Sequence, residues 1–184
     1  MCIRAQRRKI GLAAAPRTAI VAPMLTIRPS ATADDDALWS MLRPVFRAGD
    51  TYAVEPDIDR AGALAFWTGA PHEGWMAEAG GAALGTYYLQ PNQRGGGDHV
   101  CNCGFVTAAA ARGQGVARAM LEHSLETAKT AGFAAMQFNF VLATNTRAIA
   151  IWESYGFDVV GRLPKAFRHP EAGNVDALVM FKTL

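Results

Sequence analysis

One stretch, Val100 to Glu122, constrains this chain more than any other, because it joins a strand to a helix through closely spaced glycines. His99 to Val106 reads His-Val-Cys-Asn-Cys-Gly-Phe-Val, a composition suited to an extended, half-buried strand. Thr107 and four alanines lead into Arg112-Gly113-Gln114-Gly115-Val116-Ala117-Arg118. Val116, Met120, Leu121, Leu125 and Ala128 then recur at helical spacing. The first N–H groups of a helix lack internal partners, and its dipole adds partial positive charge there. Glycines let a phosphate approach that backbone closely. The stretch is an anion cradle by this logic, with a pyrophosphate as the natural occupant.

Two other glycine-rich loops fail on residue identity. A P-loop needs Gly-Lys, and the chain has no such pair. A dinucleotide fingerprint needs glycine or alanine three residues after Gly115, where Arg118 stands. Arg-Gly-Gln-Gly-Val-Ala instead resembles the acetyl-CoA signature of the GCN5-related N-acetyltransferases, Arg/Gln-x-x-Gly-x-Gly/Ala, with Arg112, Gly115 and Ala117 at its fixed positions. A helix that merely starts after a glycine is the plain alternative. A second signature follows in order. Asn145-Thr146-Arg147 opens a helix carrying Ala148, Ile149, Ile151, Trp152 and Tyr155, and Gly156-Phe157 ends it. The resemblance covers roughly Met24 to Leu184.

Charge divides the chain there. Five of its 18 Lys and Arg side chains precede Met24, a segment without acids, so the rest carries 13 basic against 16 acidic side chains. The overall +2 therefore does not point to nucleic acid, and no apolar run spans a membrane. Residues 1–23 read as a basic N-terminal extension, disordered or the product of an early start codon, with a transit peptide as the alternative. Residues 24–184 read as one N-acetyltransferase domain. Cys101 and Cys103 share a strand face without zinc-ligand spacing, so they are expected to be core thiols of a reducing cytoplasm, and no metal is expected.

Leu25 to Arg28 reads as the first strand, and Thr32 as the cap of a helix burying Leu38, Met41, Leu42, Val45 and Phe46. A shorter helix is expected over Asp59 to Trp67. Trp75–Ala79 and Ala83–Gln90 form a hairpin about Gly80-Gly81, with Tyr87 and Tyr88 on opposite faces. The strand Ala134–Val141 follows the central helix, and Pro164 to Asn174 is read as a loop. The resemblance implies a single-domain α/β acyl-CoA N-acyltransferase fold. Its sheet is mixed and mostly antiparallel, of about seven strands with about four helices, and its central parallel strands splay apart.

The resemblance also implies the site. Gly104, Phe105 and Val106 would meet the arm of acetyl-CoA, the co-substrate, through backbone groups. Gly113, Gln114, Gly115, Val116 and Ala117 would give N–H groups to its pyrophosphate. Arg112 and Arg118 would add charge, although either arginine reads equally as a solvated surface residue. Asn145 would contact the arm, or simply cap its helix. The first two helices and their loop would flank the acceptor, which makes Tyr52, Glu55, Phe66 and Trp67 substrate-contact candidates.

Two proton-handling residues of the family are missing. Trp152 stands at the usual tyrosine position, the role does not pass to Tyr155, and His99 to Val106 holds no carboxylate. Asn139 is the first candidate to replace them, since its amide could bind an oxyanion or a substrate carboxylate. Its alternative is a structural amide bonded to a neighbouring loop. His99, an imidazole at a strand edge, is the second, and His169, beside Arg168, another. His72 and His123 read as surface residues.

The expected activity is acetyl transfer from acetyl-CoA to a small, amino-acid-like amine by direct attack. Phe138-Asn139-Phe140-Val141, Ile151-Trp152, Gly161-Arg162-Leu163-Pro164 and Val175-Asp176-Ala177 resemble a branch that includes fungal enzymes acting on proline-like amino acids. Acetylation of a protein N-terminus or lysine, or acyl-CoA binding without catalysis, are the alternatives. The partners expected are that amine and, for self-association, a homodimer.

Overall fold

A computed structural model describes residues 24–184. Strands β1 (Thr26–Pro29), β2 (Glu73–Ala79), β3 (Ala82–Pro91), β4 (Val100–Thr107), β5 (Ala135–Leu142), β6 (Asp158–His169) and β7 (Gly173–Thr183) form one sheet, ordered β1-β2-β3-β4-β5-β7-β6. Helices α1 (Asp35–Ala48) and α2 (Arg60–Thr68) precede β2. Helix α3 (Val116–Thr130) connects β4 to β5, and α4 (Thr146–Ser154) follows β5. The expected fold stands, with seven strands and four α-helices among the described residues.

The period-two strands separate two cores. On one face Leu38, Met41, Leu42 and Phe46 of α1 and Trp67 of α2 pack on Met76, Tyr88 and Val106. On the other, Met120, Leu121 and Leu125 of α3 and Trp152 of α4 pack on Tyr87, Cys101, Cys103 and Phe138. Tyr87 and Tyr88 do face opposite ways. The buried Thr86 hydroxyl accepts from Trp67 Nε1 at 2.9 Å and donates to Trp75 O at 2.8 Å, tying α2 into the sheet.

Every adjacent strand pair is antiparallel except β4 and β5. Those two pair only at Val100–Ala135 and Cys101–Met136, and then diverge. Asn102 sits at the fork, its Nδ2 donating to Gln137 O at 2.9 Å. Beyond it Trp152 wedges the strands on one face, with ring centroids 5.2 Å from Phe105 and 5.0 Å from Phe138. A register shift in β5 between Phe138 and Val141 bends that strand further.

Two local expectations need correction. Thr32 does not cap α1, because Thr32–Asp34 is a separate 3₁₀ turn. Asp34 accepts the Ala31 N–H at 2.8 Å while binding Arg28, which also holds Glu78 of β2. The stretch Pro164 to Asn174 is not a loop but the turn end of the β6–β7 hairpin, strand up to His169 and again from Gly173. Its register shifts between Leu163 and Phe167, where Lys165 takes φ 51°. Asp176 secures that bulge by accepting the Lys165 N–H at 2.9 Å and binding Arg162 at 2.8 Å.

Candidate active site

The divergence of β4 and β5 opens a cleft of about 880 Å³ that reaches from the α3 face of the sheet to the α1–α2 face. Its walls come from β4, the turn before α3, β5, α4 and the loop after α1.

At the α3 end, Gly113 and Gly115 take φ values of 81° and 82°, a region that favours glycine, and a Cβ on either would meet nothing within 4 Å. Ala119 N–H donates to Gly115 O, so the helix starts there with no capping side chain. Among the described residues, no hydrogen bond uses the N–H groups of Gly113, Gly115, Val116 and Ala117. A concavity of unpaired N–H groups at the start of a 15-residue helix fits a diphosphate. Gln114 differs. Its N–H donates to Ala111 O and its side chain to Ala110 O, and it does not line the cleft.

Arg112, Arg118 and Arg147 are the only charged side chains among the described residues lining the cleft. No carboxylate lines the cleft among the described residues, so its charged side chains are all cationic, as a polyanionic ligand requires. Asn145 lines the cleft and also caps α4, accepting the Ala148 N–H at 3.3 Å.

Backbone direction along β4 sorts Gly104, Phe105 and Val106. Antiparallel pairing turns alternate residues to opposite edges. Asn92 N–H donates to Val100 O and Ala108 N–H to Leu84 O, so even-numbered positions of β4 face β3. Gly104 and Val106 therefore spend their backbone groups inside the sheet. Cys103 and Phe105 face the gap, and Phe105 O already accepts from Tyr52 Oη at 2.9 Å. Gly104 has a different use. A Cβ there would lie 2.5 Å from Tyr88 Cε1 and 3.0 Å from its hydroxyl.

The two candidate catalytic side chains stand apart from this centre. His99 is exposed, precedes the end where β4 and β5 are still paired, and does not line the cleft. Five residues of strand, about 17 Å, separate it from Gly104. Asn139 does line the cleft but is exposed at its rim, donating to Asn92 Oδ1 at 2.6 Å and accepting from Gln137 Nε2 at 2.8 Å. Its premise of costly burial is corrected: this is a solvated amide chain tied to the loop after β3. His169 Nδ1 accepts the Glu171 and Ala172 N–H groups and so closes the β6–β7 turn.

Other residues move inward. His123, read as surface, is half-buried, bonds Tyr87 Oη through Nδ1 at 2.7 Å and packs on Trp75. His72 is half-buried against the Tyr88 ring at 4.4 Å, and burial lowers its pKa. Phe66 and Trp67 belong to the aromatic cluster around Phe46 and Tyr88, and Glu55 is exposed outside the cleft. Of those four substrate-contact candidates only Tyr52 lines the cleft.

Sequence reasoning missed Asn102 and Tyr88. Asn102 is a buried polar residue, and Tyr88 Oη donates to its Oδ1 at 3.3 Å. The asparagine in an otherwise apolar strand was the available signal. Burial raises the pKa of the Tyr52 and Tyr88 phenols, pushes the Cys101 thiol up to about 12 and raises Cys103 as well. Neither cysteine is a thiolate near neutral pH.

Comparison with known proteins gives the same architecture. The family model described as the acetyltransferase (GNAT) family matches residues 36–157. A GCN5-related N-acetyltransferase from Kribbella flavida superposes with a TM-score of 0.82 at 39% identity, covering 87% of this chain and 98% of that one. A phosphinothricin acetyltransferase from Sinorhizobium meliloti, solved with acetyl-CoA, shares the fold at a TM-score of 0.77 and 20% identity, covering 87% and 88%. The N-acetyltransferase aca1 of Schizosaccharomyces pombe is 36% identical over 97 residues, 52% of this chain but 46% of that relative. The match thus spans about half the length of that curated relative.

Proposed function

The chain belongs to the acetyltransferase (GNAT) family, and from that premise we propose that it transfers acetyl from acetyl-CoA to a small, amino-acid-like amine. The observation carrying this reading is the cleft itself, which joins a cationic cradle on one face of the sheet to an aromatic pocket on the other. The N–H groups of Gly113, Gly115, Val116 and Ala117 would hold the pyrophosphate, with Arg112 and Arg118 neutralising charge. The arm would follow the free edges of β4 and β5, past Asn145, with the Phe105 N–H turned toward it. Bound acetyl-CoA supplies an acetyl thioester, whose carbonyl carbon gains a C–N bond as its C–S bond breaks, the proton lost by nitrogen balancing the one gained by the thiol.

The protein's part is then to position, polarise and exclude water. Raised thiol pKa values at Cys101 and Cys103 favour direct attack over an acetyl-enzyme. Trp152 is packed between the strands, which supports its having no proton-transfer role. Asn139 at the rim has one remaining amide N–H, which would meet a substrate carboxylate. Two buried free thiols support a reducing compartment, the cytoplasm.

An acceptor screen that follows thiol release, with small amines set against peptides, tests the proposal. Turnover of small amino-acid-like amines is expected, and turnover of peptides alone would contradict it. The cleft lining has no carboxylate or imidazole among the described residues, which favours a second reading of binding without transfer. That reading predicts saturable acetyl-CoA binding and no thiol release with any amine.

A further inference from the structure

The mouth of the cleft on the α1–α2 face is lined by Val45, Thr51, Tyr52, Ala53, Tyr88 and Asn102. Its polar equipment is two phenols, an amide and the Thr51 hydroxyl, which donates to Asp50 Oδ1 at 2.8 Å, and hydrogen bonds fix which way each points. Asn102 Nδ2 donates to Gln137 O at 2.9 Å, so Oδ1 is turned to Tyr88 and accepts its hydroxyl at 3.3 Å. Tyr52 Oη donates to Phe105 O at 2.9 Å. A phenol has one proton, so both oxygens face the cleft as acceptors only. The Tyr88 ring can lie against β4 because position 104 has no side chain.

We propose that Tyr88, oriented by Asn102 and seated over Gly104, is the acceptor-recognition residue: its oxygen takes a hydrogen bond from an N–H of a neutral amine, and Tyr52 offers a second acceptor. The inference rests on the acetyl-transfer reading above. The groups about the amine are Tyr52 from the α1–α2 loop, Tyr88 from β3 and Asn102 from β4. His72 packs on the Tyr88 ring at 4.4 Å, its pKa lowered by burial, and the Cys103 thiol is turned to the α3 core. Arg112, Arg118 and Arg147 are the charges of the cleft. An ammonium would therefore enter an aromatic mouth whose lining offers no carboxylate to pair it, at a desolvation penalty. The phenols stay protonated across the neutral range, so neither removes the amine's proton in advance. The acceptor class is thus a small amine with an apolar body that enters unprotonated. Weakly basic α-amines are favoured over alkylamines, since the former titrate near about 8 and the latter near about 10.4.

The test uses the full chain with L-leucinamide and n-butylamine as acceptors, acetyl-CoA binding by calorimetry, and melting temperature as the folding check. Tyr88→Phe is expected to raise the amine KM about five- to tenfold, the worth of one neutral hydrogen bond. Acetyl-CoA affinity should stay near the parent's, and the variant should remain folded, with a melting temperature lower by only the few degrees that an unpaired Asn102 Oδ1 costs. In the parent, the inflection in kcat/KM against pH should move with the pKa of the amine used. Failure of the parent to bind acetyl-CoA, or binding with no thiol release from any amine, would overturn the acetyl-transfer reading itself. Three results would overturn this inference alone. They are turnover of other amines but of neither of these two, a Tyr88→Phe variant with unchanged amine KM, or one inflection below pH 8 shared by both amines. A misfolded Tyr88→Phe leaves the decision to Tyr52→Phe, expected to show the same split, and to the parent's pH profiles.

Discussion

Tyr155 and Trp152 lie three residues apart on one helix turn, yet they meet opposite surroundings. Trp152 is packed against Phe105 and Phe138, whereas Tyr155 Oη bonds Glu122 of α3 away from the cleft. That contact raises the Tyr155 pKa. Tyr155→Phe should therefore retain most of the parent turnover in the thiol-release assay while losing a surface bond; a folded but inactive variant would assign proton transfer to Tyr155. The sequence made the absence of the usual tyrosine readable at Trp152, because residue type alone decides it. It did not make Tyr88 readable, because nothing local says that a β3 phenol reaches a β4 amide fourteen positions away. At Asn139 only the expected burial misled. Its strand is apolar, but a register shift beside it turns the amide to solvent, and shifts of that kind depend on the partner strand.

At the scale of elements, period and punctuation located both faces of the sheet. The apolar stripes of α1 and α3, the Gly80-Gly81 turn and the strand before the cradle lie where the pattern puts them. The β6–β7 hairpin was hidden because Pro164, Lys165 and Arg168 resemble a loop, while the bulge that accommodates the proline depends on Asp176, eleven residues beyond Lys165. Long-range polar ties of this sort carry measurable stability. Thr86→Val keeps the shape but leaves Trp67 Nε1 unpaired in the core, at a cost of about 1–3 kcal/mol. A melting temperature lower by about 2–12 °C is expected, and no change would mean that the indole finds another partner. The β1 clamp adds a pH signature. Arg28 holds the Asp34 carboxyl below its usual range, so this contribution is present above the unfolded carboxyl pKa and disappears as pH falls. Arg28→Ala should destabilise by about 1–2 kcal/mol at pH 7, with the deficit shrinking below about pH 4 in denaturant titrations. A deficit constant down to pH 2 would assign the loss to packing of the arginine stem.

For the whole molecule, the connection β4–α3–β5 creates the site. It makes the one parallel pair in the sheet, and the early end of that pairing leaves a gap that side chains of both cores approach. The helix N-terminus sets a row of N–H groups on one side of that gap, and the phenols stand on the other. A ligand that is anionic at one end and reactive at the other is what such a passage can hold. Calorimetric titration of acetyl-CoA into the parent and Gly115→Glu tests this most directly, because position 115 combines a φ of 82° with open space toward the cradle. The parent should bind at one site per chain, and the folded variant should bind at least about a hundredfold more weakly, since a carboxylate replaces the phosphate's place and repels it. A folded Gly115→Glu chain that binds acetyl-CoA as tightly as the parent would contradict the account.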